Sequence, residues 1–186
     1  MKIVVASGNA HKLQEIAGIL TGFELVSMRE MGFDGDIIED GSTFKENALI
    51  KAKFIAEKFN LPALADDSGL CVDALDGAPG VYSARYSGGG DKENRRLLLK
   101  NLENASTRTA RFKSCVCLYF PDGKTIFGEG ACEGKILFED TGNGGFGYDP
   151  IFFSNDLQKS FGQATAEEKN RVSHRFRALC DLKSKL

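Results

Sequence analysis

The chain opens on an apolar run, Lys2–Ala6, that breaks at Ser7-Gly8-Asn9 and is followed by Leu13, Ile16, Ala17 and Leu20. The first stretch reads as a buried strand, and the second, His11 to Leu20, has helical spacing. A strand turning straight into a helix constrains the chain, because it sets a helix N-terminus at the strand's end. Such a terminus carries unpaired N–H groups and partial positive charge, which suit a phosphate. Gly8 lets the backbone approach a ligand closely. Lys12 falls in the first helical turn, where the dipole disfavours a cation, and a bound anion would account for it. The residues leave two readings: a phosphate site at Ser7-Gly8-Asn9-Ala10-His11-Lys12, or an Asn-capped helix with a surface lysine. The segment is no Walker A loop, since Gly-x-x-x-x-Gly-Lys-Ser/Thr is absent.

Further along, Glu24–Ser27 reads as a short strand and residues 29–41 as an acidic, glycine-rich loop. Thr43-Phe44-Lys45-Glu46 has the form of a capping box, opening a helix to about Phe59 with Ala48, Ala52, Ile55, Ala56 and Phe59 as its buried stripe. Pro62 ends it. Ala63–Ala65 reads as a strand leading into Asp66-Asp67-Ser68-Gly69, with Leu70–Val72 resuming as strand. Gly77–Gly90 reads as an irregular loop and Asp91–Asn101 as a helix. Thr109–Phe120 and Lys124–Cys132 form two strands joined at Pro121-Asp122-Gly123, a hairpin signal. Gly142–Pro150 is a second glycine-rich loop, and Thr165-Ala166-Glu167-Glu168 a second capping box. With no repeat or linker, residues 1–186 are expected to form one domain.

A net charge of −2 gives no global pull toward nucleic acid or membrane, so phosphate binding must come from local lysines and backbone amides. No stretch approaches the length of a membrane span, and the first apolar run is too short for a signal peptide. Five cysteines, with no Cys-x-x-Cys pair, argue against a disulfide framework or zinc site and for a reducing, cytoplasmic setting. Cys115 and Cys117 alternate within a strand and would share one face as small core residues.

Four more clusters could carry chemistry. Glu39 and the pair Asp66-Asp67 are acidic. Adjacent carboxylates on a strand point to opposite sides, so they need not share a task, and one could face a magnesium ion; Asp66-Asp67-Ser68-Gly69 also reads as a turn. Lys51 lies four residues after Asn47, on one helix face away from the alanine stripe, and is either functional or simply solvated. In Gly144-Gly145-Phe146-Gly147-Tyr148-Asp149-Pro150, glycines flank rings, which suits either a tight turn or a platform where Phe146 stacks on a base and Asp149 reads its edge. The last cluster is Lys169 to Arg175. On one ideal helix His174 and Arg175 would point ~140° and ~120° away from Lys169 in opposite senses. If all serve one ligand, the helix breaks near Arg171–Ser173 and Ser173 caps a new one to about Leu182; otherwise this is a basic amphipathic helix.

Taken in order, these stretches resemble the inosine triphosphate pyrophosphatase family. The matching segments are Ser7-Gly8-Asn9…Lys12, Glu39-Asp40-Gly41-Ser42-Thr43-Phe44-Lys45-Glu46-Asn47-Ala48, Ala65-Asp66-Asp67-Ser68-Gly69-Leu70, Gly77–Tyr86, Gly145–Phe152 and Glu168-Lys169-Asn170…Ser173-His174-Arg175. The resemblance implies an α/β fold with a long twisted mixed sheet and flanking helices, two lobes and a central cleft. It implies Mg²⁺, a homodimer, and hydrolysis of ITP, dITP and XTP between the α and β phosphates. By position, Ser7, Gly8, Asn9, Ala10, His11 and Lys12 would hold the triphosphate, helped by Lys51 and Lys169. Glu39 and Asp67 would hold the metal, with Asp67 also the base on the attacking water and Asp66 supporting either role. Ser68, Phe146, Gly147, Tyr148, Asp149, His174 and Arg175 would contact the nucleoside. Donors from Arg175 or His174 aimed at the 6-keto oxygen would reject adenine. Two segments depart from the family pattern: Asp140-Thr141-Gly142-Asn143, where many members carry Pro-Arg-Gly, and Phe176, where glycine is common.

Three rivals stand beside this expectation: a pyrophosphatase for modified pyrimidine triphosphates, a phosphatase using a phosphoryl-aspartate, and a nucleotide sensor without turnover. The second lacks the Asp-x-Asp spacing its chemistry uses.

Overall fold

The computed structural model describes residues Met1–Leu186. Seven strands make one sheet in the order β2-β1-β3-β4-β5-β6-β7. They are β1 Lys2–Val5, β2 Glu24–Ser27, β3 Ala63–Val72, β4 Thr109–Tyr119, β5 Thr125–Ile136, β6 Phe152–Ser154 and β7 Lys159–Ser160. The sheet is mixed: β1 pairs in parallel with β2 and β3, whereas β5–β6 and β6–β7 are antiparallel. The helices are α1 Ala10–Ile19, α2 Phe44–Phe59, α3 Asp91–Asn101, α4 Ala166–Val172 and α5 His174–Lys183. The chain forms two compact units. The first comprises Met1–Asp67, Ser114–Gly130 and Arg175–Leu186, the second Ser68–Lys113 and Ala131–His174.

In the first unit the strand alternation sorts side chains to two faces. Ile3, Val5, Leu64, Val116 and Leu118 pack with Ile16 of α1, Leu20 that caps it, and Ala178, Leu179 and Leu182 of α5. Val4, Ala6, Ala63, Ala65 and Cys117 pack with Ala48, Ala52, Ile55 and Ala56 of α2. Alanine meets alanine across this second interface, so α2 lies close to the strands and its flanking side chains reach Asp66 and Asp67 in the middle of β3. The expected stripe is buried except Phe59, which packs partly exposed at its edge. Thr43 and Glu46 form the expected capping box, and Asn60 in the left-handed conformation closes α2. On α1, Ala17 is exposed, so the apolar stripe there is narrower than its spacing suggests. The β4–β5 hairpin turns where expected, Phe120 donating to the Lys124 carbonyl at 2.9 Å. Gly128 on β5 lies against α5: a Cβ there would stand 2.1 Å from the Ala178 carbonyl oxygen. Cys115 and Cys117 are both buried in this hairpin, and burial pushes each thiol up to about 12.

The second unit has its own core, with Leu70, Val72, Ala110, Phe112, Cys132 and Ile136 from the sheet against Leu98 of α3 and Leu102 that caps it. Phe112, Phe152 and Phe161 make an aromatic cluster with centroids 4.6–6.0 Å apart. Two expectations change. Asp66-Asp67-Ser68-Gly69 is no turn: β3 runs unbroken from Ala63 to Val72. Flanking buried apolar residues outweigh the turn propensity of Asp and Gly. The sheet also continues past Cys132 to Ile136 and adds β6 and β7, too short to show a periodicity.

Candidate active site

The unbroken strand decides how the two adjacent carboxylates are used. Both belong to the first unit, and consecutive strand positions face opposite ways. Asp66 is buried and meets two cations: Arg175 places Nε at 3.1 Å and Nη2 at 2.9 Å from Oδ2, and Lys12 places Nζ at 2.9 Å from the same oxygen. Ser114 of β4 donates to Oδ1. Arg175 also donates to Glu15 of α1 through Nη1. Burial opposes the Asp66 charge, but Arg175, Lys12 and the Ser114 hydroxyl outweigh it, and the carboxyl stays well below the usual range.

Asp67 meets α2 instead. Lys51 Nζ lies 3.3 Å from Asp67 Oδ1 and 3.0 Å from Glu39 Oε2, and donates to the Asp66 carbonyl at 3.1 Å. Asn47, one helical turn earlier, donates to Asp67 Oδ2 at 3.2 Å and accepts from the Gly41 N–H at 2.9 Å. Helical spacing thus aims both side chains at one carboxylate, and Lys51 is buried, not solvated. Burial raises the Asp67 pKa; Lys51 and Lys12 oppose this and Glu39 adds to it. One strand therefore carries a carboxylate locked in its ionised form beside one inclined to take a proton.

At Ser7–Lys12 the Asn-capped helix of the second reading is present. Asn9 caps α1, its side chain accepting from the His11 and Lys12 N–H groups at 3.0 and 3.2 Å. Ser7 is buried and accepts from the Asn9 N–H, while Gly8, Ala10 and His11 are exposed. Lys12 is no surface lysine: its anion is Asp66, and burial pushes its pKa down against that pull.

The second unit holds the other expected residues. Lys169 donates to Asp149 Oδ2 at 2.8 Å, and its ammonium lies 4.4 Å from the Phe146 ring centroid. Its partners are thus in the aromatic loop, where the sequence reading grouped it with Lys12 and Lys51. Asp149 also accepts from the Phe146 N–H at 2.8 Å, and Tyr148 donates to the Ser83 carbonyl at 2.8 Å. His174 is buried and stacks on Phe112 at 4.8 Å between centroids. Ser68 is half-buried on β3. The helix breaks as expected: α4 ends at Val172, Ser173 is extended (φ −65°, ψ 155°), and α5 starts at His174. Arg175 begins the return to the first unit, where its 1 % exposure and its grip on Asp66 and Glu15 make it a partner of Asp66, a role the sequence did not signal. Glu15 and Ser114 also went unforeseen, because neither sits in a motif; their pairing with Arg175 and Asp66 spans 160 and 48 residues.

The family model described as the Ham1 family matches residues 3–185. The chain belongs to the Ham1 family. It is 48% identical over 193 residues to a dITP/XTP pyrophosphatase of Haemophilus influenzae, covering 100% of this chain and 98% of the relative. A dITP/XTP pyrophosphatase of Geobacter sulfurreducens is 49% identical over 191 residues, with 100% and 96% covered. The structure of the Ham1 protein of Staphylococcus aureus superposes with a TM-score of 0.91 at 39% identity, covering 100% and 97% of the two chains. Within this Ham1 chain no three His, Cys, Asp or Glu side chains converge as a closed metal cage. Glu39 and Asp67 do share one cation, the Lys51 ammonium, between them. Two hard carboxylate oxygens sets facing one positive charge fit magnesium, which takes one or two carboxylates and completes its shell with water and substrate phosphates.

Proposed function

We propose that this chain hydrolyses noncanonical purine nucleoside triphosphates, ITP, dITP and XTP, to the monophosphate and pyrophosphate. The observation that carries the reading is its relation over the whole chain to proteins named dITP/XTP pyrophosphatases. The geometry around Asp66 and Asp67 supports it. Asp67, its pKa raised by burial, is the base that takes a proton from the attacking water. Asp66, held ionised by Arg175 and Lys12, makes a poor base and instead anchors Lys12. Lys12 and Lys51 offset the charge of the triphosphate and the charge developing on the leaving pyrophosphate. The N–H groups and small side chains of Ser7–Lys12 line the phosphates, and Phe146, Tyr148 and Asp149, with Lys169, Ser68 and His174, meet the nucleoside.

Mg²⁺ is the proposed cofactor, with Glu39 and Asp67 as its protein ligands. When bound it polarises the phosphate oxygens and draws charge from the scissile anhydride. The reading includes a homodimer, carried from the family resemblance, and a cytoplasmic setting, supported by five free thiols. No helix is long and apolar enough to cross a membrane.

Product analysis of a nucleotide panel with and without magnesium tests the proposal. ITP, dITP and XTP should yield monophosphate and pyrophosphate, with ATP and GTP much slower. Release of inorganic phosphate, preference for a pyrimidine triphosphate, or binding without turnover would each replace it with one of the rival readings.

A further inference from the structure

The Gly144–Asp149 loop presents Phe146, and within the loop Asp149 holds the Phe146 N–H. Gly145 and Gly147 both have positive φ, +74° and +60°, where the backbone of a side-chain-bearing residue is disfavoured. Such a segment needs outside constraints to keep one conformation. Part of that constraint comes from α3. The Gly147 N–H donates to Asp91 Oδ2 at 2.8 Å, and the Gly147 carbonyl accepts from Arg95 Nη1 at 2.8 Å. Both polar groups of the glycine after Phe146 are therefore held by one helix face, at positions one turn apart. Arg95 is held in turn by Asp140, in a bidentate pair of 2.9 Å (Nε–Oδ1) and 2.8 Å (Nη2–Oδ2). Asp140 lies in the segment that departs from the family pattern, just ahead of this loop. The Arg95 side chain is 14 % exposed, while that of Asp140, at 46 %, lies at the surface.

We propose that Asp91, Arg95 and Asp140 are positioning residues for nucleobase recognition: they clamp Gly147 so that the Phe146 ring stays where a purine can stack. This rests on the reading of Phe146 as the base platform. Arg95 has the planar fork that the arrangement needs, since one guanidinium must meet two carboxylate oxygens and a carbonyl together. A lysine would meet only part of this. Asp91 sits in the first turn of α3, with its carboxylate oxygen accepting from the Gly147 N–H. All three belong to the second unit, and the clamp should govern substrate binding, not the proton transfer.

The test uses Arg95→Ala, Arg95→Lys, Asp140→Ala and the double variant Arg95→Ala/Asp140→Ala in the full chain, with two readouts. Hydrogen exchange of the peptide covering residues 143–149 needs no substrate and should speed up in Arg95→Ala and Asp140→Ala. Steady-state kinetics on ITP should show KM raised about tenfold in Arg95→Ala, what about 1.4 kcal/mol of lost binding amounts to, with kcat within about twofold. Arg95→Lys should recover only part of KM, and the double variant should be no worse than Arg95→Ala. Unchanged exchange and KM in Arg95→Ala, with wild-type protein active on ITP, would overturn the clamp. A kcat loss equal to the rise in KM would overturn it too, as a general structural effect. Wild-type protein that neither binds nor cleaves ITP would instead sink the proposed function, and with it the substrate part of the clamp.

Discussion

Arg175 and Asp66 form a buried ion pair in which Nε and Nη2 of one guanidinium meet a single carboxylate oxygen, at 3.1 and 2.9 Å. Lys12 adds a third donor to that oxygen, and Glu15 takes the far nitrogen of Arg175. Buried charges are tolerated only when paired this completely. Asp66→Asn removes the anion that Arg175 and Lys12 share. Breaking a buried pair by deleting one partner costs roughly 3–5 kcal/mol. Chemical denaturation of the variant should show a loss of that order, and a midpoint within error of wild type would refute the structural role given to Asp66.

Asp67→Asn should behave in the opposite way. Asparagine keeps the shape and still accepts from Asn47 or Lys51, so the fold persists. It cannot take a proton, and loss of a general base typically costs about 10²–10⁴ in rate. Turnover on ITP should fall by that much while ITP still binds, as read by calorimetry. A variant with more than a tenth of wild-type turnover would remove Asp67 from the reaction.

The same two carboxylates make opposite contributions to stability as pH changes. Asp66 is depressed in the folded state, so its contribution is present above the ordinary carboxylate value of 3.8 and is lost as pH falls toward its folded pKa. Asp67 is raised, so it favours the folded state most when protonated and adds a loss of stability as pH rises through its folded pKa. In metal-free protein, carbon-13 shifts of the two carboxyls should separate: Asp67 titrates above 3.8, and Asp66 stays ionised until acid unfolding sets in. Equal titration of the two would contradict the different environments described here.

The contrast between these neighbours also shows what the sequence makes legible. Both capping boxes, at Thr43 and Thr165, stand where local chemistry put them, because an N-cap is satisfied within four residues. The break at Ser173 is one of two readings that the sequence leaves open, tied to Lys169, His174 and Arg175 serving one ligand; the break is there, with Lys169 on Asp149 and Arg175 on Asp66. Asp66-Asp67-Ser68-Gly69 misled because turn propensity is local, whereas the strand there is enforced by the sheet and by buried neighbours on both sides. The partner of Arg175 was not legible: motif position pointed to the nucleoside, and the pairing with Asp66, 109 residues away, shows only in the folded chain. Glu15 and Ser114 carried no local signal at all.

Removing the divalent ion gives a fourth check. With Glu39 and Asp67 holding magnesium, chelation should abolish turnover, and added Mg²⁺ should restore it. Glu39→Gln keeps the Lys51 contact through its amide oxygen but drops a charge. Its apparent magnesium affinity should weaken by about tenfold or more, within the range seen when such ligands or their supports are altered. Full turnover in excess chelator would exclude the metal assignment, and unchanged magnesium dependence in Glu39→Gln would exclude Glu39 from it.

Gly128 tests the packing that keeps Arg175 in place. The residue has ordinary backbone geometry, so conformational freedom is not its role. Its role is space: a Cβ would stand 2.1 Å from the Ala178 carbonyl oxygen, 2.6 Å from the Leu182 N and 2.7 Å from the Leu182 Cβ. Two of those atoms are backbone, which no rotamer change can move, so an added methyl must push α5 away from β5. That helix carries Ala178, Leu179 and Leu182 into the core and bears Arg175 in its first turn. Overpacking typically costs about 1–3 kcal/mol and sometimes more. Gly128→Ala should therefore lose at least that much stability and also weaken the hold on Asp66, since α5 positions the guanidinium. Gly128→Ala with wild-type stability would mean that β5 and α5 are not in the close contact described.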